Sequence, residues 1–140
     1  MKVVNPWTHH FPGFGPVPLS HAVVCAPKQT MYVAGQVAED PKTNETVGKG
    51  DLAAQAKQVY ENTKAVLEAG GFTLKDVVKR QTFVSLEGGK QMRNPETMAV
   101  VVALMEEYFG EPYPIHSFWI AHELAHPDYL IEMEVTAVKE

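Results

Sequence analysis

Apolar positions recur along the chain with two different periods, and each change of period marks an element. From Asp51 onward, Leu52, Ala56, Val59, Thr63 and Val66 follow at intervals of four, three, four and three residues. That is the stripe of an amphipathic helix, with Asp51 placed to cap its first turn and Gly70-Gly71 to end it. A second stripe, Met98, Val101, Val102, Met105 and Phe109, follows Asn94-Pro95 and stops at Gly110 and Pro112. An Asn cap followed by Pro at the first helical position is a strong start signal. Elsewhere the period shortens. Residues 21–26 and 30–35 are brief apolar runs parted by Pro27-Lys28-Gln29, and they predict the two strands of a hairpin. Residues 40–50 are polar and rich in turn formers, hence a loop. Residues 77–86, 115–122 and 129–138 predict three further strands. In the last, Ile131, Met133, Val135 and Ala137 share one face, and Glu132, Glu134 and Thr136 share the other.

Residues 1–20 carry Pro6, Pro12, Pro16 and Pro18 with Gly13 and Gly15, which predicts an irregular extended arm. The order is therefore β-β-α-β-α-β-β: one α+β domain over residues 1–140, with an arm (1–20) and a core (21–138). Antiparallel hairpins stand at both ends and two helices lie on one sheet face. No repeat or linker interrupts it.

Composition narrows the functional classes. The 140 residues are 45% hydrophobic, enough for one genuine core. Seventeen acidic residues against twelve basic leave a net charge of −5, and no Lys/Arg run occurs, which argues against nucleic acid as partner. The single Cys25 excludes an internal disulfide framework and a multi-cysteine zinc ribbon, and on a predicted strand it reads as buried and inert. The chain opens with no basic-then-apolar leader, and its apolar runs fall short of the ~18 residues of a membrane span. A soluble, cytoplasmic protein without a membrane partner is expected.

One local pattern carries obvious chemistry. His122-Glu123-Leu124-Ala125-His126 has the H-E-x-x-H spacing that, on a helix, turns two imidazoles toward a zinc ion with the Glu as general base. Helical context is poor, however. Pro127 follows at once, and Pro112 and Pro114 leave at most about three turns upstream. His122 then belongs to a strand and His126 to the turn after it, and a zinc metallopeptidase is the lesser alternative.

A second match covers most of the chain. Gly15-Pro16, Met31-Tyr32-Val33-Ala34-Gly35-Gln36, the 51–71 segment with Gln55, Asn62 and Ala65-Val66-Leu67, Asp76-Val77-Val78-Lys79, Pro114-Ile115-His116-Ser117 and Ile131-Glu132-Met133-Glu134-Val135-Thr136-Ala137 stand in one order and spacing. Together they resemble the YjgF/RidA family of reactive-intermediate deaminases, over residues 15–138. The resemblance implies a chorismate-mutase-like fold, a mixed sheet backed by two helices, assembled as a homotrimer with its sites in clefts between subunits. It implies hydrolysis of small enamines or imines, such as 2-aminoacrylate, to a keto acid and ammonia, with no metal or organic cofactor.

Within that resemblance Glu132 stands where the family has the acid that positions water, and His116 stands where it has a carboxylate-clamping Arg. An imidazole offers one donor on that side instead of a charged two-pronged fork. Val17, Ala34 and Val102 stand where a Tyr, a Ser and an Asn are usual. Glu132 and His116 are thus the candidate catalytic residues, and Val17, Ala34, Gly35, Val102, Ser117 and Phe118 the candidate substrate contacts. The substrate is expected to diverge from 2-aminoacrylate, and a protein of the same fold that binds a small ligand without hydrolysing it is the alternative. On the strand pattern His116, Phe118, Ile120 and His122 share a face, while Phe118, Trp119 and Tyr129 read as packing or subunit interface. The His9-His10 pair of the arm is close enough in sequence to the core to reach a neighbour's cleft, although terminal segments rarely carry chemistry.

Overall fold

The computed structural model describes residues 1–8 and 10–140. His9, and so half of the His9-His10 pair, lies outside the described residues. A mixed four-stranded sheet carries three α-helices on one face. Its strands are β5 (Gln29–Val37), β6 (Val77–Val84), β7 (Ile115–Ile120) and β8 (Ile131–Lys139), in the spatial order β5-β8-β6-β7. β8 is antiparallel to both β5 and β6, whereas β6 and β7 run parallel. The expected closing hairpin is therefore absent. Met133 and Val135 pair with β5 on one side and β6 on the other, because a strand with a fully apolar face is most stable in the middle of a sheet.

Both predicted helices form. α1 (Leu52–Ala69) is capped by Asp51, whose carboxylate accepts from the Ala54 N–H at 3.0 Å. It lies across β5 and β8 and buries Leu52, Ala56, Val59 and Leu67. The start of α3 (Pro95–Tyr108) is held by Asn94, whose Oδ1 accepts from the N–H groups of Glu96 and Thr97. Its Met98, Val101 and Met105 complete the core with Phe109.

Between β6 and α3 lies a helix the pattern does not announce, α2 (Leu86–Met92), capped by Ser85. Two glycines lower its helical propensity, and packing explains them. A Cβ on Gly88 would stand 2.5 Å from the Leu130 carbonyl oxygen, so only glycine lets this helix close on the start of β8.

The arm departs most from expectation. Lys2–Val4 forms β1 and pairs antiparallel with β4 (Ala22–Val24), while β2 (His10–Phe11) pairs with β3 (Gly15–Pro16). The apolar run at 21–26 thus finds its partner upstream and not in β5. Pro12 and Pro16, with Gly13 and Gly15 at positive φ, shape a small hairpin instead of forbidding structure. Cys25 falls just beyond β4 and is half-buried, not enclosed.

Candidate functional site

The candidate residues divide between the two faces of the sheet. On the helix-covered face, a cleft of about 360 Å³ opens between α3, the end of α2, the arm and β7. Val17, Val102, His116 and Phe118 all line it, joined by Met92, Met98, Val101 and Met105. His116 is the one titratable side chain in that lining. Its Nε2 lies 2.9 Å from Thr82 Oγ1, and its ring meets Phe118 edge-on. Burial, and then the nearby Arg80 charge, hold the imidazole well below its ordinary pKa, so it is neutral at pH 7.

On the uncovered face, Glu132 alternates with the core residues Ile131 and Met133 and points away from the helices. It stands opposite Val37 of β5 and Phe83 of β6. Burial, reinforced by Glu134, pushes its carboxyl above the ordinary value. The register of β5 slips between Val33 and Gln36, and Gly35 sits in that irregularity. A Cβ on Gly35 would fall 1.9 Å from Glu132 Oε1, so the carboxylate lies directly over the glycine backbone. Ala34 and Ser117 are exposed. Tyr129 donates its hydroxyl to Glu39, which raises the phenol to about 12, and Glu132 adds to that shift. Glu39 and Tyr129 are thus neighbours of the Glu132 site that sequence spacing did not mark.

Within one chain, then, His116 with Val17, Val102 and Phe118 forms one group, and Glu132 with Gly35 forms another on the opposite face. Gly35→Ala tests the second group. The displaced atom belongs to a flexible side-chain end, so the fold should persist with thermal unfolding shifted by about 2–4 °C or less. Any reaction that uses the Glu132 carboxylate should fall at least about tenfold, a loss equal to about 1.4 kcal/mol. Parallel unfolding and activity measurements separate the two effects.

The His122–His126 pattern is not helical. β7 ends at Ile120, residues 121–130 run as loop, and His122, Glu123 and His126 are exposed. His122 therefore does not continue the face of His116. Among the described residues no group of three His, Cys, Asp or Glu side chains is placed to hold a metal ion. Phe118, Trp119 and Ile120 are 39%, 52% and 49% exposed along the free edge of β7, and so are not interior packing within one chain. No helix among the described residues is long and apolar enough to cross a membrane.

Known proteins align with this architecture over almost its whole length. The endoribonuclease L-PSP family profile matches residues 16–139. A RutC family protein of Pyrococcus horikoshii is 43% identical over 112 residues, covering 79% of each chain. The 2-iminobutanoate/2-iminopropanoate deaminase of Escherichia coli K12 is 35% identical over 112 residues, 78% of this chain and 79% of that one. Among solved structures, the Rid family protein YyfB of Yersinia pestis superposes with a TM-score of 0.81 at 36% identity, covering 99% of this chain and 98% of that one. The YjgF gene product of E. coli does so with 0.64 at 29% identity, covering 100% of both. The mixed sheet with β8 at its centre and helices on one face is therefore a shared architecture, and the chain belongs to the Rid/YjgF family.

Proposed function

We propose that the chain is a hydrolase that adds water to a small imine and releases ammonia, without a metal or organic cofactor. It acts as a homotrimer with sites between copies. The observation that carries this reading is the Glu132 carboxylate, laid over Gly35 on an uncovered sheet face with its pKa raised. A carboxylate whose pKa is raised is a stronger base in its ionised form. It takes a proton from water as the oxygen attacks the C=N carbon, and the imine nitrogen is protonated. The resulting carbinolamine loses ammonia as its hydroxyl proton departs, leaving the carbonyl. An enamine enters the same sequence once it has tautomerised to the imine. The relatives named 2-iminobutanoate/2-iminopropanoate deaminase support the substrate class.

The division of the candidate residues supports the assembly. His116 and Glu132 cannot serve one substrate from opposite faces of a single sheet. They can meet when the uncovered face of one copy packs near the β7 edge of the next. That face and edge expose Tyr32 (80%) and Trp119, the kind of aromatic surface that subunit contacts bury. A mixing experiment tests both ideas. Glu132→Gln and His116→Ala proteins, each inactive in ammonia release from an imine generated in place, are unfolded together and refolded. Sites built from two copies should recover about a quarter of the wild-type rate, since that fraction of random interfaces holds both intact residues. Recovery of nothing would confine the chemistry to one chain. Ligand binding with no ammonia release, unchanged by Glu132→Gln, would leave binding alone as the function.

A further inference from the structure

Arg80 is the largest fully buried side chain in the protein, 1% exposed in the middle of β6. None of its close partners is an anion. Nη2 donates to the Pro18 carbonyl at 3.1 Å, and the guanidinium lies over the Phe109 ring with its carbon 4.6 Å from the centroid. Tyr60, also buried, is the third neighbour, and the two groups shift each other. Nε and Nη1 have no partner beyond the Tyr60 hydroxyl beside the guanidinium. Among the described residues no carboxylate comes within ion-pair distance, and Glu106 acts only from further off. A guanidinium remains charged in a folded protein, and burying it without a counter-ion is costly. A protein that keeps such a charge generally answers it with something.

The place where it stands suggests what. Pro18, whose carbonyl it holds, lines the 360 Å³ cleft, and so does His116, its register partner on β7. The wall beyond is apolar: Met98, Val101, Val102 and Met105. An unanswered positive charge in a low-dielectric wall raises the potential throughout the adjoining cavity. The Thr82 hydroxyl can donate to His116 Nε2, and in that tautomer Nδ1 carries the ring proton. We propose that this cleft binds a monocarboxylate with a bulky apolar tail, the tail against α3 and the carboxylate drawn to His116 by the Arg80 charge. Here the charge that the family resemblance implies at position 116 comes from the neighbouring strand. A cleft of this size falls in the range of small-molecule pockets, and a three-carbon acid would leave most of it empty. The inference rests on the hydrolase reading only in naming the ligand as a bulky imino acid or its keto acid product.

Calorimetric titration tests it without any turnover. The probes are the keto acid of leucine, its methyl ester, and pyruvate. The wild type should bind the leucine keto acid at least tenfold more tightly than either of the others. Arg80→Met should abolish the preference for acid over ester while leaving ester binding within about twofold. Should Arg80→Met fail to fold, Val102→Glu, at a half-buried position of α3 that lines the cleft, should weaken the acid at least tenfold and the ester little. Equal affinity for acid and ester in the wild type, an unchanged preference in both variants, or no binding at millimolar concentration would overturn the proposal. Loss of ammonia release with the acid preference intact would overturn the hydrolase reading alone. Ammonia release without any preference for bulk or charge would do the reverse.

Discussion

Glu132→Gln is expected to lower the rate of ammonia release by about 10²–10⁴-fold, the usual contribution of a positioned general base. The same change should make the protein more stable at neutral pH. The Glu132 carboxyl is raised by burial and by Glu134, so the folded state favours its protonated form. Its stabilising contribution is complete below the unfolded carboxyl pKa and is lost as the pH climbs through the higher folded value. At pH 7 the ionised group therefore costs stability, and a neutral isostere over Gly35 relieves that cost. Activity has the opposite dependence, since the base must be ionised, and in the wild type it should fall as the pH drops through that raised value. Stopped-time ammonia assays across pH, beside urea unfolding of both proteins at equal protomer concentration, check the two signs together. A variant that is inactive and also less stable at pH 7 would show that Glu132 holds the sheet together, not that it does chemistry.

Gln55→Leu is expected to remove about 3 kcal/mol of stability, a large share of the ~5–15 kcal/mol typical of a domain. Gln55 is completely buried in α1 and binds three backbone groups. Its Oε1 accepts from the Leu130 N–H at 2.8 Å, and its Nε2 donates to the carbonyls of Asp128 (2.8 Å) and Gly48 (3.2 Å). Leucine is close in size but leaves one buried N–H and two carbonyls without these partners, and each orphan costs about 1–3 kcal/mol. The loop that leads into β8 loses its anchor, so Glu132 should also shift and catalysis weaken. Gln36, whose Nε2 donates to the Ala34 carbonyl near the surface, supplies the control. Its replacement by Leu should stay within about 0.5 kcal/mol. Urea midpoints of the two variants decide the matter.

Both long helices were legible in the sequence because their caps and stripes act locally. Asp51 and Asn94 make the very bonds their positions imply. α2 was not, because Gly88 and Gly89 contradict helical propensity and answer to Leu130 and Ile120, which are distant in sequence. The arm misled for a similar reason. Proline and glycine disfavour long strands but tolerate two- and three-residue ones, and the choice of β4 as partner for β1 is a tertiary matter. Strand alternation put Glu132 and His116 on defined faces, yet only the order β5-β8-β6-β7 reveals that these are opposite faces of one sheet. Nothing in the sequence distinguishes Arg80, since charge within a β-branched run usually marks solvent. Its burial depends on Pro18, Tyr60 and Phe109 converging from three segments.

The central place of β8 has a consequence for how the chain comes to be folded during synthesis. β5 and β6 touch each other nowhere in the sheet, since each pairs only with strands made later. A ribosome-bound chain that has not yet released Ile131–Lys139 therefore leaves open the edges of β5 and β6 that β8 covers, with the parallel β6–β7 ribbon as the one pairing within the four-stranded sheet. Pairings this far apart in sequence close slowly because the loop entropy comes before the reward. Unpaired edges of this kind are the surfaces to which nascent chains stick. Until the last strand arrives, α1 has only part of its floor, and a pause in translation before that point leaves an aggregation-prone intermediate.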